Sequence, residues 1–161
     1  LHKPPEVWPE VWAVIRLTIP SMPPSSNHAY FNLPRGGRTL TTVGKKFKKE
    51  TITHLVVSSQ GELKKFKPNV PYMAAYLVYF EKLSSETWPE KAKNRFIRVD
   101  VSNRVKLLED VIVEAAGIDD SQILASCAYK RVGSPEGVTA YFWNVDEEQS
   151  DLFHVLDRLQ R

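Results

Sequence analysis

DVSNRVKLLEDVIVEAAGIDDSQ, residues Asp100 to Gln122, reads as an amphipathic helix between two strands. Val105, Leu108, Ile112 and Ala116 recur at three- and four-residue spacing, which lines one side of an α-helix with apolar groups. Asn103, Lys106 and Asp110 fall on the opposite side, within about 60° of one another. The helix is expected from about Asn103 to Ala116, with Gly117 as the stop, because glycine adopts the left-handed conformation that ends helices. Upstream, Arg95 to Val101 reads as a short strand. Downstream, Gln122 to Arg131 alternates as a longer one.

Working outward, Trp12 to Ile19 alternates, with Ala13, Ile15, Leu17 and Ile19 on one face, and Pro20 ends it. Ser21 to Thr42 holds prolines and glycines that predict a long loop with room for a short hairpin; loops of that length in compact domains tend to be functional. A helix is expected from about Val43 to Ser58, capped by Thr42. Gly61 to Pro71 is a basic connector, Tyr72 to Lys82 a strongly buried strand, and Ser84 to Asn94 a polar loop. Val138 to Val145 is predicted to pair antiparallel with the strand before it, across the turn Gly133–Gly137. Asp146, with Gln149 three residues on, is the expected cap of a last helix that packs through Leu152, Val155, Leu156 and Leu159. Residues 1–11 form an irregular arm and 12–161 a single domain. The order of elements predicts an α/β (α+β) fold, a mixed β-sheet packed by helices.

The 161 residues suffice for one hydrophobic core, and 42% hydrophobic with 25% charged is ordinary globular composition. No apolar run approaches the roughly 20 residues of a membrane span, and Pro4, Pro5 and Pro9 interrupt any apolar leader. A single cysteine, Cys127, rules out an internal disulfide and a multi-cysteine zinc site and fits a reducing, cytoplasmic setting; in its alternating strand it is expected to be inert core. The net charge of +3 is unevenly spread: Arg35, Arg38, Lys45, Lys46, Lys48 and Lys49 lie in a stretch without an acidic residue, whereas the acidic groups gather after Asp100. That asymmetry suits a protein that holds a polyanion with one surface and a metal with another, and equally a solvated basic helix.

Asp100 at a strand end and the pair Asp119–Asp120 in a turn are oxygen ligands of the kind a divalent cation prefers, and Lys106 is placed to contact a phosphate. A polar helix face followed by an acidic turn explains the same spacing and, on spacing alone, is the more frequent reason for it. Other templates fail. Six residues separate Gly37 from Gly44 where a phosphate-binding loop has four, and Lys46 is followed by Phe47. No nucleophile elbow is present, and His2, His28, His54 and His154 have no metal-binding spacing.

Two segments together resemble the RusA family of Holliday-junction resolvases. One is PPSSNHAYFNLPRGGRTLTTVGKKFKKE, Pro23 to Glu50, which is similar to that family's Pro-Pro-Ser, Asn, aromatic and basic glycine-containing pattern leading into a helix. The other is Asp100 to Gln122, similar to Asp-x-Asp-Asn-x-x-Lys followed by Asp-Asp-x-Gln. The resemblance spans roughly Trp12 to Val145. It implies a homodimer that cuts four-way DNA junctions by paired nicks using magnesium, with manganese as substitute, and no small-molecule cofactor or membrane. It assigns metal binding to Asp100, Asp120 and the adjacent Asp119, catalysis to Asp100, Lys106 and Asp120, and support to Asn103. The chain departs where the family's second aspartate falls on Ser102. Three arrangements stay open: Asp119 or Asp110 compensates, Ser102 caps the helix while metal binds through water, or the protein holds junctions without cutting them.

The DNA-facing residues expected are Asn27, Tyr30, Arg35, Arg38, Lys45, Lys46, Lys48 and Lys49. The basic groups would neutralise phosphates. Tyr30 and Phe31 would either wedge against unstacked bases or pack under the loop. Three functions compete: a junction endonuclease, a junction-binding protein with weak or no nuclease activity, and a small-molecule hydrolase using the same carboxylates. Steep salt dependence of DNA affinity separates the first two from the third, and nicking separates the first from the second.

Overall fold

The structure is a computed structural model, and it describes residues 14–97 and 99–145. The expected arm 1–11 and the helix after Asp146 lie outside the described residues. The domain is organised around the strand YMAAYLVYF, Tyr72–Phe80, in which Tyr72, Ala74, Tyr76, Val78 and Phe80 are buried and the alternate residues half-buried. A strand apolar on both faces belongs inside a sheet. Numbering strands in chain order, this is β4, and it follows β1 (Val14–Ile19), β2 (Tyr30–Asn32) and β3 (Arg38–Leu40). It lies between β5 (Ile123–Val132), its parallel neighbour, and β6 (Gly137–Asn144), its antiparallel one; β1 completes the order β1-β6-β4-β5. Since β1 and β4 both run antiparallel to β6, the strands β1, β4 and β5 all point the same way.

The helices are α1 (Ser26–Ala29), α2 (Thr42–Ser58), α3 (Gln60–Leu63) and α4 (Ser102–Ala116). Gly44, Phe47, Thr51 and Leu55 form the buried stripe of α2, and Val105, Leu107, Leu108, Val111, Ile112 and Val113 that of α4. They share one core with Ile15, Leu17 and Ile19 of β1, and with Val138, Ala140 and Phe142 of β6. Phe66, between α3 and β4, packs edge-on against both Tyr72 and Phe142, with centroids 5.2 and 5.1 Å away. Helix α4 is the crossover that two parallel strands require, and Gly117 ends it in the left-handed region at φ 69 as expected.

Five expectations are corrected. The strands β5 and β6 do not pair with each other; β4 lies between them. The more apolar β4 and β6 take the interior, and β5, with Ser126, Lys130 and Arg131, takes the edge, where charged side chains reach water. Arg95 to Val101 forms no strand among its described residues, only an isolated bridge between Ser84 and Phe96. Cys127 is exposed on the edge strand, with no second sheet over it among the described residues. The cap of α2 is Thr41, whose hydroxyl accepts from Gly44 N at 3.1 Å, one residue earlier than expected. Ser102 does not cap α4; Asp100 Oδ1 does, accepting from Asn103 N at 3.2 Å. The hairpin expected in the long loop is present as β2–β3, with Gly36 and Gly37 at φ 87 and 88 at its tip.

Candidate functional site

The two segments singled out in the sequence are stitched together along α4. Arg104 Nη1 donates to Pro23 O at 2.7 Å, Ser26 Oγ to Asn103 Oδ1 at 3.1 Å, and Tyr30 Oη to Asp110 Oδ2 at 3.0 Å. The loop leaving β1 and the hairpin that follows are thereby fastened to α4 from its first turn to just past its middle. Asn103 is the junction of this network: its amide nitrogen also donates to Asp100 Oδ2. A carboxylate only accepts, so the amide must turn its NH2 towards Asp100 and its oxygen towards the hydroxyl of Ser26. Ser26 is 5% exposed, and it holds the group that holds Asp100. Sequence reading missed Ser26 and Arg104 as partners, because a hydroxyl and a guanidinium inside a motif carry no sign of which distant group they will meet.

Lys106 is exposed, one turn into α4, with no ion-pair partner among the described residues. Ser102 is exposed and Asn27 is exposed on α1. Asp110 is exposed and accepts the Tyr30 hydroxyl through Oδ2. Burial and that hydrogen bond push the Tyr30 hydroxyl up to about 12, against the opposing charge of Arg38, whose guanidinium lies 5.2 Å from the ring centroid. The Tyr30 hydroxyl thus ties the hairpin to α4, and Phe31, 49% exposed, is the aromatic that the hairpin presents outward.

Asp119 is also committed locally. Its Oδ1 accepts from Ser121 N at 2.9 Å and from the Ser121 hydroxyl, and its own N–H donates to Gln122 Oε1 at 3.2 Å, a capping box on the 3-10 turn Asp120–Gln122. These bonds hold its carboxyl below the usual carboxylate range. Gln122 Nε2 donates to Lys67 O and Val70 O, 3.0 and 2.8 Å, pinning the turn beside the start of β4. Asp120 is exposed next to that cap.

Asp100 and Asp120 stand at opposite ends of the sheet. Asp100 caps the start of α4 and is tied through Asn103 to Ser26, which follows the C-terminal end of β1. Asp120 follows the end of α4 and sits where β4 and β5 begin. The 15 residues of α4 alone span about 22 Å. Among the described residues no three acidic, histidine or cysteine side chains gather where they could hold one ion. The expectation that these carboxylates grip one cation within a single chain is not met. Their chemistry still suits magnesium, which takes hard oxygen ligands, keeps several waters and needs only one or two carboxylates.

The basic residues divide. Lys48 is paired with Glu114 at 2.5 Å and Lys46 loosely with Glu50 at 3.9 Å, while Lys45 and Lys49 are exposed with no ion-pair partner among the described residues. Arg35 and Arg38 are exposed on the hairpin. No helix of the described residues is long and apolar enough to cross a membrane.

A comparison with curated proteins gave no match. The family model described as Endodeoxyribonuclease RusA matches residues 20–139, from the end of β1 into β6, a span that includes the stitched loop, both acidic positions and the whole of α4. The chain belongs to the RusA endodeoxyribonuclease family.

Proposed function

We propose that the protein resolves four-way DNA junctions as a homodimer, by paired, divalent-metal-dependent nicks. One observation carries the reading: Pro23, Ser26 and Tyr30 are hydrogen-bonded to the helix that presents Asp100 and Lys106, so the DNA-facing hairpin and the acidic helix start form one working unit. The separation of Asp100 from Asp120 supports the dimer. Two carboxylates at opposite ends of a protomer serve one ion only when they come from different protomers, and a two-fold axis then makes two equal sites that match the near two-fold symmetry of a junction.

In this arrangement Asp100 of one protomer and Asp120 of the partner subunit hold magnesium, with manganese as substitute. Such an ion supplies an activated water and offsets the charge of the phosphate. Asn103 orients Asp100, Lys106 holds the scissile phosphate, and Asp119 keeps the acidic turn in shape. Lys45, Lys49, Arg35 and Arg38 bind backbone phosphates, and Phe31 abuts bases opened at the branch point. Ser102 leaves the site one carboxylate short of the family pattern, which predicts a higher magnesium requirement and not a loss of chemistry. A labelled synthetic junction incubated with magnesium or manganese should yield paired nicks. A complex that forms but is never nicked with either ion overturns the proposal.

A further inference from the structure

We infer that the loop between β4 and α4 is a stacking platform for unpaired bases, a contact for single-stranded DNA beside the start of α4 and separate from the lysines of α2. The inference rests on the nuclease reading above and names the part of a branched substrate that this end of the sheet takes. The loop is closed at its neck. Ser85 N donates to Arg95 O at 2.8 Å and Ile97 N to Leu83 O at 2.9 Å, around the bridge between Ser84 and Phe96. Leu83 packs against the core, and further out Lys91 N and Ala92 N both donate to Thr87 O, at 2.7 and 3.1 Å. The chain from Ile97 to Asp100 reaches at most about 11 Å, so the neck stands beside the proposed metal ligand.

Three features select bases as the occupant. The first is exposure. Trp88 is 45% and Phe96 63% exposed, so an otherwise polar loop turns two aromatic rings to water. The second is the arrangement of those rings. The Arg95 guanidinium lies 5.7 Å from the centroid of Trp88 and 5.4 Å from that of Phe96. One cation thus gathers both rings and adds a flat face of its own. Aromatic rings with an arginine stack bases of any sequence, because every base has a π-face. The third is charge. Lys91 to Arg98 holds four positive charges and no acidic residue. Lys91 and Lys93 are exposed with no ion-pair partner among the described residues, whereas Lys82 is held by Glu86 at 2.5 Å. An apolar protein surface would cover the rings and leave these cations unanswered. A single strand supplies bases for the rings and phosphates for the lysines. A duplex keeps its base faces stacked on one another, so the platform acts only where pairing is broken.

The test measures binding of the full-length protein, without divalent metal, to an oligothymidylate single strand, a fully paired duplex and a four-way junction. Trp88→Ala should weaken single-strand binding by about 5–150-fold, the loss of one base stack, and leave the duplex unchanged. Trp88→Phe should restore most of it. The salt dependence should keep its slope in Trp88→Ala, because the ring carries no charge, and should fall when Lys91 and Lys93 are both changed to Ala. In the wild type, a junction carrying iodouracil at its branch point should photocross-link to Trp88 or Phe96, a readout that needs no variant to fold. Equal weakening on all three probes, or no weakening and no cross-link in this loop, overturns the platform; nicking that persists with metal then leaves the nuclease reading intact. A Trp88→Ala protein that binds DNA normally but sediments as a smaller species assigns the rings to a protein partner and overturns the platform as well. A wild type that nicks no junction but keeps ring-dependent binding of the single strand overturns the nuclease reading and upholds the platform.

Discussion

Asn103 can serve Ser26 and Asp100 together in only one orientation, and that makes Ser26 a positioning residue for a carboxylate it never touches. Without the hydroxyl, the amide oxygen is left without its donor and the amide is free to turn and present oxygen to Asp100. Loss of such a supporting partner weakens metal binding by about 10–100-fold. Ser26→Ala should therefore raise the magnesium concentration for half-maximal cleavage by that order. Manganese binding without DNA, read by electron paramagnetic resonance, should weaken in parallel, and Ser26→Ala should add little in an Asn103→Ala background. Additive effects in the double variant, or unchanged metal affinity, would reduce Ser26 to packing. At this scale the sequence was legible for residue type and order: Asp100, Lys106 and Asp120 are exposed, and Asn103 is half-buried beside Asp100. Asp119 carries two signals at once, since with Gln122 three residues on it has the capping-box spacing that the structure adopts, beside the spacing of the metal reading.

Elements were read more securely where one period dominates than where two strands compete for a neighbour. α4, β4 and the stop at Gly117 follow from local pattern, whereas the place of β5 beside β4 depends on which strands exclude water best, a property of the whole sheet. The join between α1 and α2 shows the same dependence. A Cβ on Gly44 would stand 2.5 Å from Ala29 O, the oxygen that accepts from Thr41 N, and 2.9 Å from Leu40 Cδ2. Gly44→Ala gains about 1 kcal/mol of helix propensity but overpacks against backbone at a cost of about 1–3 kcal/mol. A net loss of stability, seen as a lower urea midpoint, is expected; an unchanged or higher midpoint would mean that α1 yields. The hairpin has its own marker. Tyr30 is raised from the ordinary tyrosine value of 10 to about 12 by burial and Asp110. The unfolded chain thus loses this proton first, and the stabilisation is complete below pH 10 and lost as pH rises towards 12. The stability difference between wild type and Tyr30→Phe should shrink over that interval in urea titrations; a constant difference would assign the effect to packing alone.

At the scale of the whole molecule, two surfaces must meet one DNA, and each makes a separable prediction. Lys45 and Lys49 lack ion-pair partners among the described residues while Lys48 is held by Glu114, so the first two should carry the phosphate contacts of α2. Removing one lysine–phosphate interaction reduces the slope of log affinity against log salt by about 0.9. Changing Lys45 and Lys49 to Ala should lower the slope by roughly two per protomer for every junction sequence, and Lys48→Ala should leave it nearly unaltered. A loss confined to one sequence would mean base recognition. The position of the two carboxylates makes a stricter demand. If Asp100 and Asp120 of different protomers share an ion, then Asp100→Asn and Asp120→Asn proteins are each inactive, because every site in either homodimer lacks one ligand. Mixed and allowed to exchange subunits, they form a heterodimer in which the intact Asp100 of one protomer meets the intact Asp120 of the other. One site is then whole and its companion lacks both ligands. The mixture should recover nicking of a single strand, with paired nicks still missing and a yield set by the heterodimer fraction. A site built inside one protomer has no such rescue: each heterodimer half would keep its own defect, and the mixture would stay as inactive as its parts.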